Sequence, residues 1–134
     1  MSDRYIDPSH QNSTGGTEKL TEVLKDLHSV CTEIQLSMIA TQDGLTMTSY
    51  GSVFDPDAVG AMCSELQMIC HKTAKQLQQG VLEQVLLKCS DSYMLVMTAG
   101  DSAILAVMTT PDSNLGITFI EAERAAKAIK LLLE

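Results

Sequence analysis

The sequence predicts an α+β domain in which a five-stranded antiparallel sheet is covered by helices on both faces. Three observations lead there. Apolar residues repeat at helical spacing in three segments and alternate, or run without a break, in five others. Within each group of strands the connections are short turn signals, Asp43-Gly44, then Ser90-Asp91-Ser92, then Gly100-Asp101, and such short links join antiparallel neighbours. The last two runs are apolar on both sides: Leu95 and Met97 against Met94 and Val96, then Ile104 and Ala106 against Leu105 and Val107. Strands of that kind need cover on both faces.

The elements follow in order. Residues 1–16 hold Pro8, Gly15, Gly16 and many polar residues, and are expected to form a disordered N-terminal tail. The folded domain is expected over 17–134. Thr17 is a suitable N-cap for a first helix, in which Leu20, Val23, Leu24, Leu27, Val30 and Cys31 form the apolar side and Glu18, Lys19, Glu22, Lys25 and Asp26 the wet side. The period then changes to two. Ile34, Leu36, Met38 and Ala40 alternate with Gln35, Ser37, Ile39 and Thr41, and a second alternating run follows Asp43-Gly44. Two such runs around Asp-Gly predict a hairpin, with Gly44 supplying a positive φ.

Asp55-Pro56-Asp57 is a helix-start signature. Val59, Met62, Cys63, Leu66, Ile69, Cys70, Thr73 and Leu77 then make one helical stripe, with Gly80 as the expected stop. Ala61 and Met68 project away from that stripe, between Glu65, Lys72 and Lys75. Strands are expected at 82–89, 93–99 and 103–109. A last helix is expected over Leu115 to Leu133, capped by Ser113 or Asn114, with Leu115, Phe119, Ala122, Ala126, Ile129 and Leu133 on its buried face.

Composition narrows the function. With 134 residues, the chain can build one core and not two. No apolar window is long enough to span a membrane, and the polar start lacks a secretory signal core, so a cytoplasmic protein is expected. A net charge of -8 argues against nucleic-acid binding and against docking on anionic lipid. Cys31, Cys63, Cys70 and Cys89 form no C-x-x-C pair and are read as buried free thiols. Eight Met and no Trp give an aliphatic, thioether-rich core suited to adaptable packing.

Site chemistry is sparse. Neither G-x-x-x-x-G-K-[ST] nor G-x-G-x-x-G occurs, so no phosphate-cradling loop is expected. Cys63 and Cys70 lie two helical turns apart, about 10 Å by rise, too far to share a zinc ion without other ligands. His10, His28 and His71 are read as solvated, and no G-x-S-x-G elbow is present. No catalytic residue, metal or cofactor is expected.

Three local patterns carry a family resemblance: the apolar strand ending in Gln42-Asp43-Gly44-Leu45 with Tyr50-Gly51 after it, the second helix led by Asp55, and Pro111-Asp112-Ser113-Asn114-Leu115-Gly116-Ile117 opening the last helix. In that order and spacing they make the chain similar to the Roadblock (dynein light chain) family, in its small-GTPase-regulator branch. The resemblance spans residues 17–134. It implies a profilin-like architecture with strand order 2-1-5-4-3, the second helix on one face and the first and last on the other. A strand polar on one face after the Asp-Gly turn and a final strand that is the most apolar suit an edge and a centre, in agreement. The family further implies a homodimer through the third strand and second helix. Leu82, Val85, Leu86 and Leu87 give an independent reason, because an apolar edge strand invites pairing with another chain. The expected dimer interface is Met62, Glu65, Ile69, Leu82, Gln84 and Leu86. Ala58, Ala61, Glu65 and Met68 are the expected partner-binding set. The implied partner is a small Ras-like GTPase, with a motor or signalling scaffold that leaves GTP hydrolysis unaffected as the alternative, and a small-molecule sensor domain as a more distant one.

Overall fold

The computed structural model describes residues 8–51 and 55–134, with side chains from Gly16 onward. The elements are α1 (Pro8–Val30), β1 (Ile34–Thr41), β2 (Thr46–Gly51), α2 (Pro56–Gln76), β3 (Gln84–Lys88), β4 (Tyr93–Thr98), β5 (Ala103–Thr109) and α3 (Leu115–Leu133). The five strands form one antiparallel sheet in the order β2-β1-β5-β4-β3. Helix α1 is already helical at Pro8, ahead of the Thr17 cap expected from sequence. The expected tail over 1–16 falls in part on residues 1–7, outside the described residues.

Side-chain parity sorts the core into two layers. Odd-numbered β5 residues Ala103, Leu105 and Val107 join Leu95 and Met97 of β4 beneath α1 (Leu20, Leu24, Leu27) and α3 (Ala122, Ala125, Ala126, Ile129). Even-numbered Ile104 and Ala106 join Met38, Ala40 and Val96 beneath α2, which contributes Cys63. Ile34 belongs with the α1/α3 layer despite its even number, because the β1–β5 register slips between Ile34 and Leu36. Central β5 has no exposed residue, whereas edge strand β2 has no buried one.

The hairpin is looser than a two-residue Asp-Gly turn. Thr41 N–H donates to Leu45 C=O at 2.8 Å and Gly44 N–H to Thr41 C=O at 2.9 Å, enclosing residues 42–44. Gly44 has φ +95°, while Asp43 stays in the ordinary half of φ space, so this is no type I′ turn. The irregularity between Ile39 and Ala40 in the β1–β2 pairing absorbs the extra residue.

The helix ends show the expected chemistry, with one correction. Asp55 caps α2 by accepting from Ala58 N–H at 3.2 Å, with Pro56 in the first turn. Asn114, not Ser113, caps α3, accepting from Ile117 N–H at 3.3 Å; Ser113 instead bonds Thr109 Oγ1 at 2.9 Å. Gly80 does not stop α2. The chain turns at Gln78, with φ +54°, where Gln78 N–H reaches Lys75 C=O and Gln79 N–H reaches Ala74 C=O. This is the double closure of a left-handed C-terminal cap, here on a residue other than glycine.

Candidate partner-binding site

Helix α2 is poorly covered by the described residues. It buries Gly60, Cys63 and Ser64, with Val59 and Leu66 partly buried, whereas the shorter α3 buries five residues. The sequence stripe drawn through Met62, Ile69 and Leu77 is therefore not a core stripe: all three are exposed, Met62 by 59% and Ile69 by 62%. At about 100° per residue, Met62, Ile69 and Thr73 fall on one flank of α2, and Ser64, Met68 and His71 on the other.

A close approach fixes the second flank. A Cβ on Gly44 would stand 3.0 Å from Ala61 Cα, and a Cβ on Gly60 would stand 2.8 Å from Thr46 Oγ1 and 3.1 Å from Gly44 C=O. Two glycines thus let α2 sit directly on the β1–β2 turn. Thr46 Oγ1 donates to Pro56 C=O at 2.9 Å, and Ser64 Oγ donates to Gln42 C=O. Ala61 is pressed toward the turn by this contact, so it lies beside the Asp-Gly loop and does not stand alone on a free face. Ala58 falls nearer the Met62 side, Glu65 points outward between the flanks, and Met68 is 53% exposed next to the turn. The four residues of the expected partner set thus spread over both flanks and the outer surface of α2.

The edge strand is shorter than expected. Among the described residues β3 pairs with β4 alone, in the register Gln84↔Met97, Val85↔Val96, Leu86↔Leu95, Leu87↔Met94 and Lys88↔Tyr93. Val85 and Leu87 therefore share the α2 face, and Gln84, Leu86 and Lys88 share the α1/α3 face. Of the expected dimer residues, Met62 and Ile69 lie on the α2 side while Gln84 and Leu86 lie on the opposite face, joined by the free backbone edge of the strand. Leu82 precedes β3, is half-buried, and lines a cleft with Met68. Leu86 and Leu87 are 42% and 38% exposed, high for leucines in a strand.

The remaining chemistry is structural. His28 is half-buried and partnered: its Nε2 lies 2.8 Å from Ser37 Oγ, and its ring meets Tyr50 edge-on at 4.8 Å. Burial pushes the His28 pKa below its ordinary value. Ser37 is fully buried, so this Ser–His pair offers no nucleophile to a substrate and instead ties α1 to β1. Cys31 and Cys63 are buried as expected, and burial raises both thiol pKa values, with Glu121 and Glu33 adding to the rise at Cys31. Cys70 is only half-buried and Cys89 is exposed, which corrects the reading of four buried thiols. Among the described residues no helix is long and apolar enough to cross a membrane.

Residues 19–109 match the Roadblock/LC7 domain model. The chain belongs to the Roadblock/LC7 family. This Roadblock chain is 38% identical over 101 residues to the uncharacterized protein MJ1340 of Methanocaldococcus jannaschii, covering 74% of itself and 87% of the relative. Its fold is similar to that of the gliding protein MglB from Thermus thermophilus (TM-score 0.79, 16% identity, 87% of this chain and 90% of that one). It is equally similar to a Roadblock/LC7 domain from Streptomyces avermitilis (TM-score 0.79, 20% identity, 84% and 95%). At these identities the two solved structures speak to fold alone.

Proposed function

We propose that this Roadblock chain is a homodimeric partner-binding module that binds and regulates a small Ras-like GTPase, without catalytic chemistry of its own. The observation that carries the reading is the unpartnered apolar surface of α2 beside the open edge of β3. Met62 and Ile69 are more than half exposed, and burying one such side chain is worth about 1.5–3 kcal/mol.

The edge also restricts how a second copy can add. A two-fold axis normal to the sheet keeps α2 of both copies on one side, so residues placed opposite must share parity. The register that pairs all of Gln84–Lys88 then sets Leu86 against Leu86 of the second copy. Val85 of each copy meets Leu87 of the other under the two α2 helices, and Met62 and Ile69 become the helix contact. Family membership supports this mode, and the family resemblance supplies the GTPase as partner.

The GTPase is expected on the other α2 flank and the Asp-Gly loop, around Ala61, Met68 and Gln42, with Ala58 and Glu65 at the border. The test is to mix the purified dimer with Ras-like GTPases of the same organism in each nucleotide state, measuring binding and hydrolysis. Nucleotide-dependent binding that Met68→Asp weakens, with the fold intact, supports the reading. Binding indifferent to nucleotide would leave an adaptor role, and no binding to any GTPase would end the regulator reading.

A further inference from the structure

Beside the Met68 flank lies a cleft of about 430 Å³, lined from four parts of the chain: α2 (Ser64, Gln67, Met68, His71), the β1–β2 turn (Gln42), the α2–β3 connection (Val81, Leu82) and the β4–β5 turn with its strand ends. Its apolar lining is Met68, Val81, Leu82 and Ile104. Its polar lining holds one carboxylate among amides, hydroxyls and an imidazole. Asp101 supplies a carboxylate, and Gln67 Oε1 is a buried oxygen with no hydrogen-bond partner. Among the described residues no lysine or arginine lines the cleft; Lys130 lies with its stem against Gly100.

We propose that this cleft receives an arginine side chain presented by the protein partner. The proposal rests on the partner-binding reading above and adds to it the chemistry of the contact. An aliphatic stem fits the Met68–Leu82–Ile104 wall. The guanidinium carries five N–H donors in a rigid fork that matches the two oxygens of the Asp101 carboxylate. A lysine ammonium is a point charge and matches such a pair less well. The chain's net charge of -8 favours approach of a basic surface.

The test needs no GTPase. The isotope-labelled full-length chain is titrated with Nα-acetyl-arginine amide and observed by NMR. The expected result is saturable shifts in the millimolar range at the Gln67 side-chain amide, His71, Gly100 and Asp101. Asp101→Asn should weaken the binding by about threefold, as for a partly exposed charged contact. Nα-acetyl-glutamate amide should give no such shifts. Absence of saturable shifts with the arginine probe, or equal shifts with the glutamate probe, overturns the proposal. If the probe binds but no GTPase does, the GTPase reading fails alone. If a GTPase binds the native chain and Asp101→Asn equally, the cleft proposal fails alone.

Discussion

Replacing Gly44 by alanine tests the frame that positions the candidate site. Gly44 combines φ +95° with a Cβ direction ending 3.0 Å from Ala61 Cα and 3.3 Å from Ser64 Cβ. A left-handed backbone costs an L-residue about 1–2 kcal/mol. The new methyl meets helix backbone and not a flexible side-chain tip, and overpacking of that kind costs about 1–3 kcal/mol. The lower freedom of alanine in the unfolded chain returns about 0.4–1 kcal/mol. The net loss is about 1–4.5 kcal/mol. Urea unfolding at fixed protein concentration reads it: with m near 2 kcal/mol/M, the midpoint should fall by about 0.5–2 M. An unchanged midpoint would show that α2 does not rest on the β1–β2 turn as described.

Four further outcomes are expected. Leu86→Cys should form an intermolecular disulfide on mild oxidation, since opposed strand residues lie about 4.5–5.5 Å apart at Cα; Ile69→Glu should shift the chain toward monomer in sedimentation while its circular dichroism is retained, because Ile69 is exposed in the single chain. His28 is held below its ordinary pKa of 6.5 by burial, so the folded chain binds fewer protons than the unfolded one just below that pH. Its contribution is fully present above 6.5 and is lost as pH falls toward the folded-state pKa, and His28→Gln should flatten that part of the stability profile measured by thermal unfolding. Under native conditions iodoacetamide should modify exposed Cys89 first and buried Cys31 and Cys63 last, as followed by mass spectrometry of the digested chain; early labelling at Cys63 would contradict its place between α2 and the sheet.

Most of the fold was legible because periodicity and turn chemistry agree along the chain. The continuous apolar runs at Tyr93–Thr98 and Ala103–Thr109 demanded burial on both faces, and β4 and β5 are inner strands. The site was legible only in outline. Amphipathicity places Met62 and Ile69 on an apolar side of α2, but whether that side meets the sheet or another molecule depends on how the helix is rolled. Gly60 decides the roll, since its missing side chain lets α2 touch Thr46 and Gly44. A glycine inside a helix costs about 1 kcal/mol relative to alanine, and that was the available signal of a close contact. The cleft was not legible, because Gln42, Gln67, Leu82 and Asp101 meet only through the tertiary fold. His28 was misjudged for a related reason: its partner Ser37 is on a polar-looking position of β1 that the fold buries completely.

Sedimentation velocity of the unmodified chain at micromolar concentration tests the central claim most directly. The surface of β3 and α2 is proposed to be closed by a second copy, and this predicts a species of twice the 14.5 kDa chain mass that Ile69→Glu converts to the single chain. A native chain that sediments at 14.5 kDa with Met62, Ile69 and Leu86 left open to water would contradict the account.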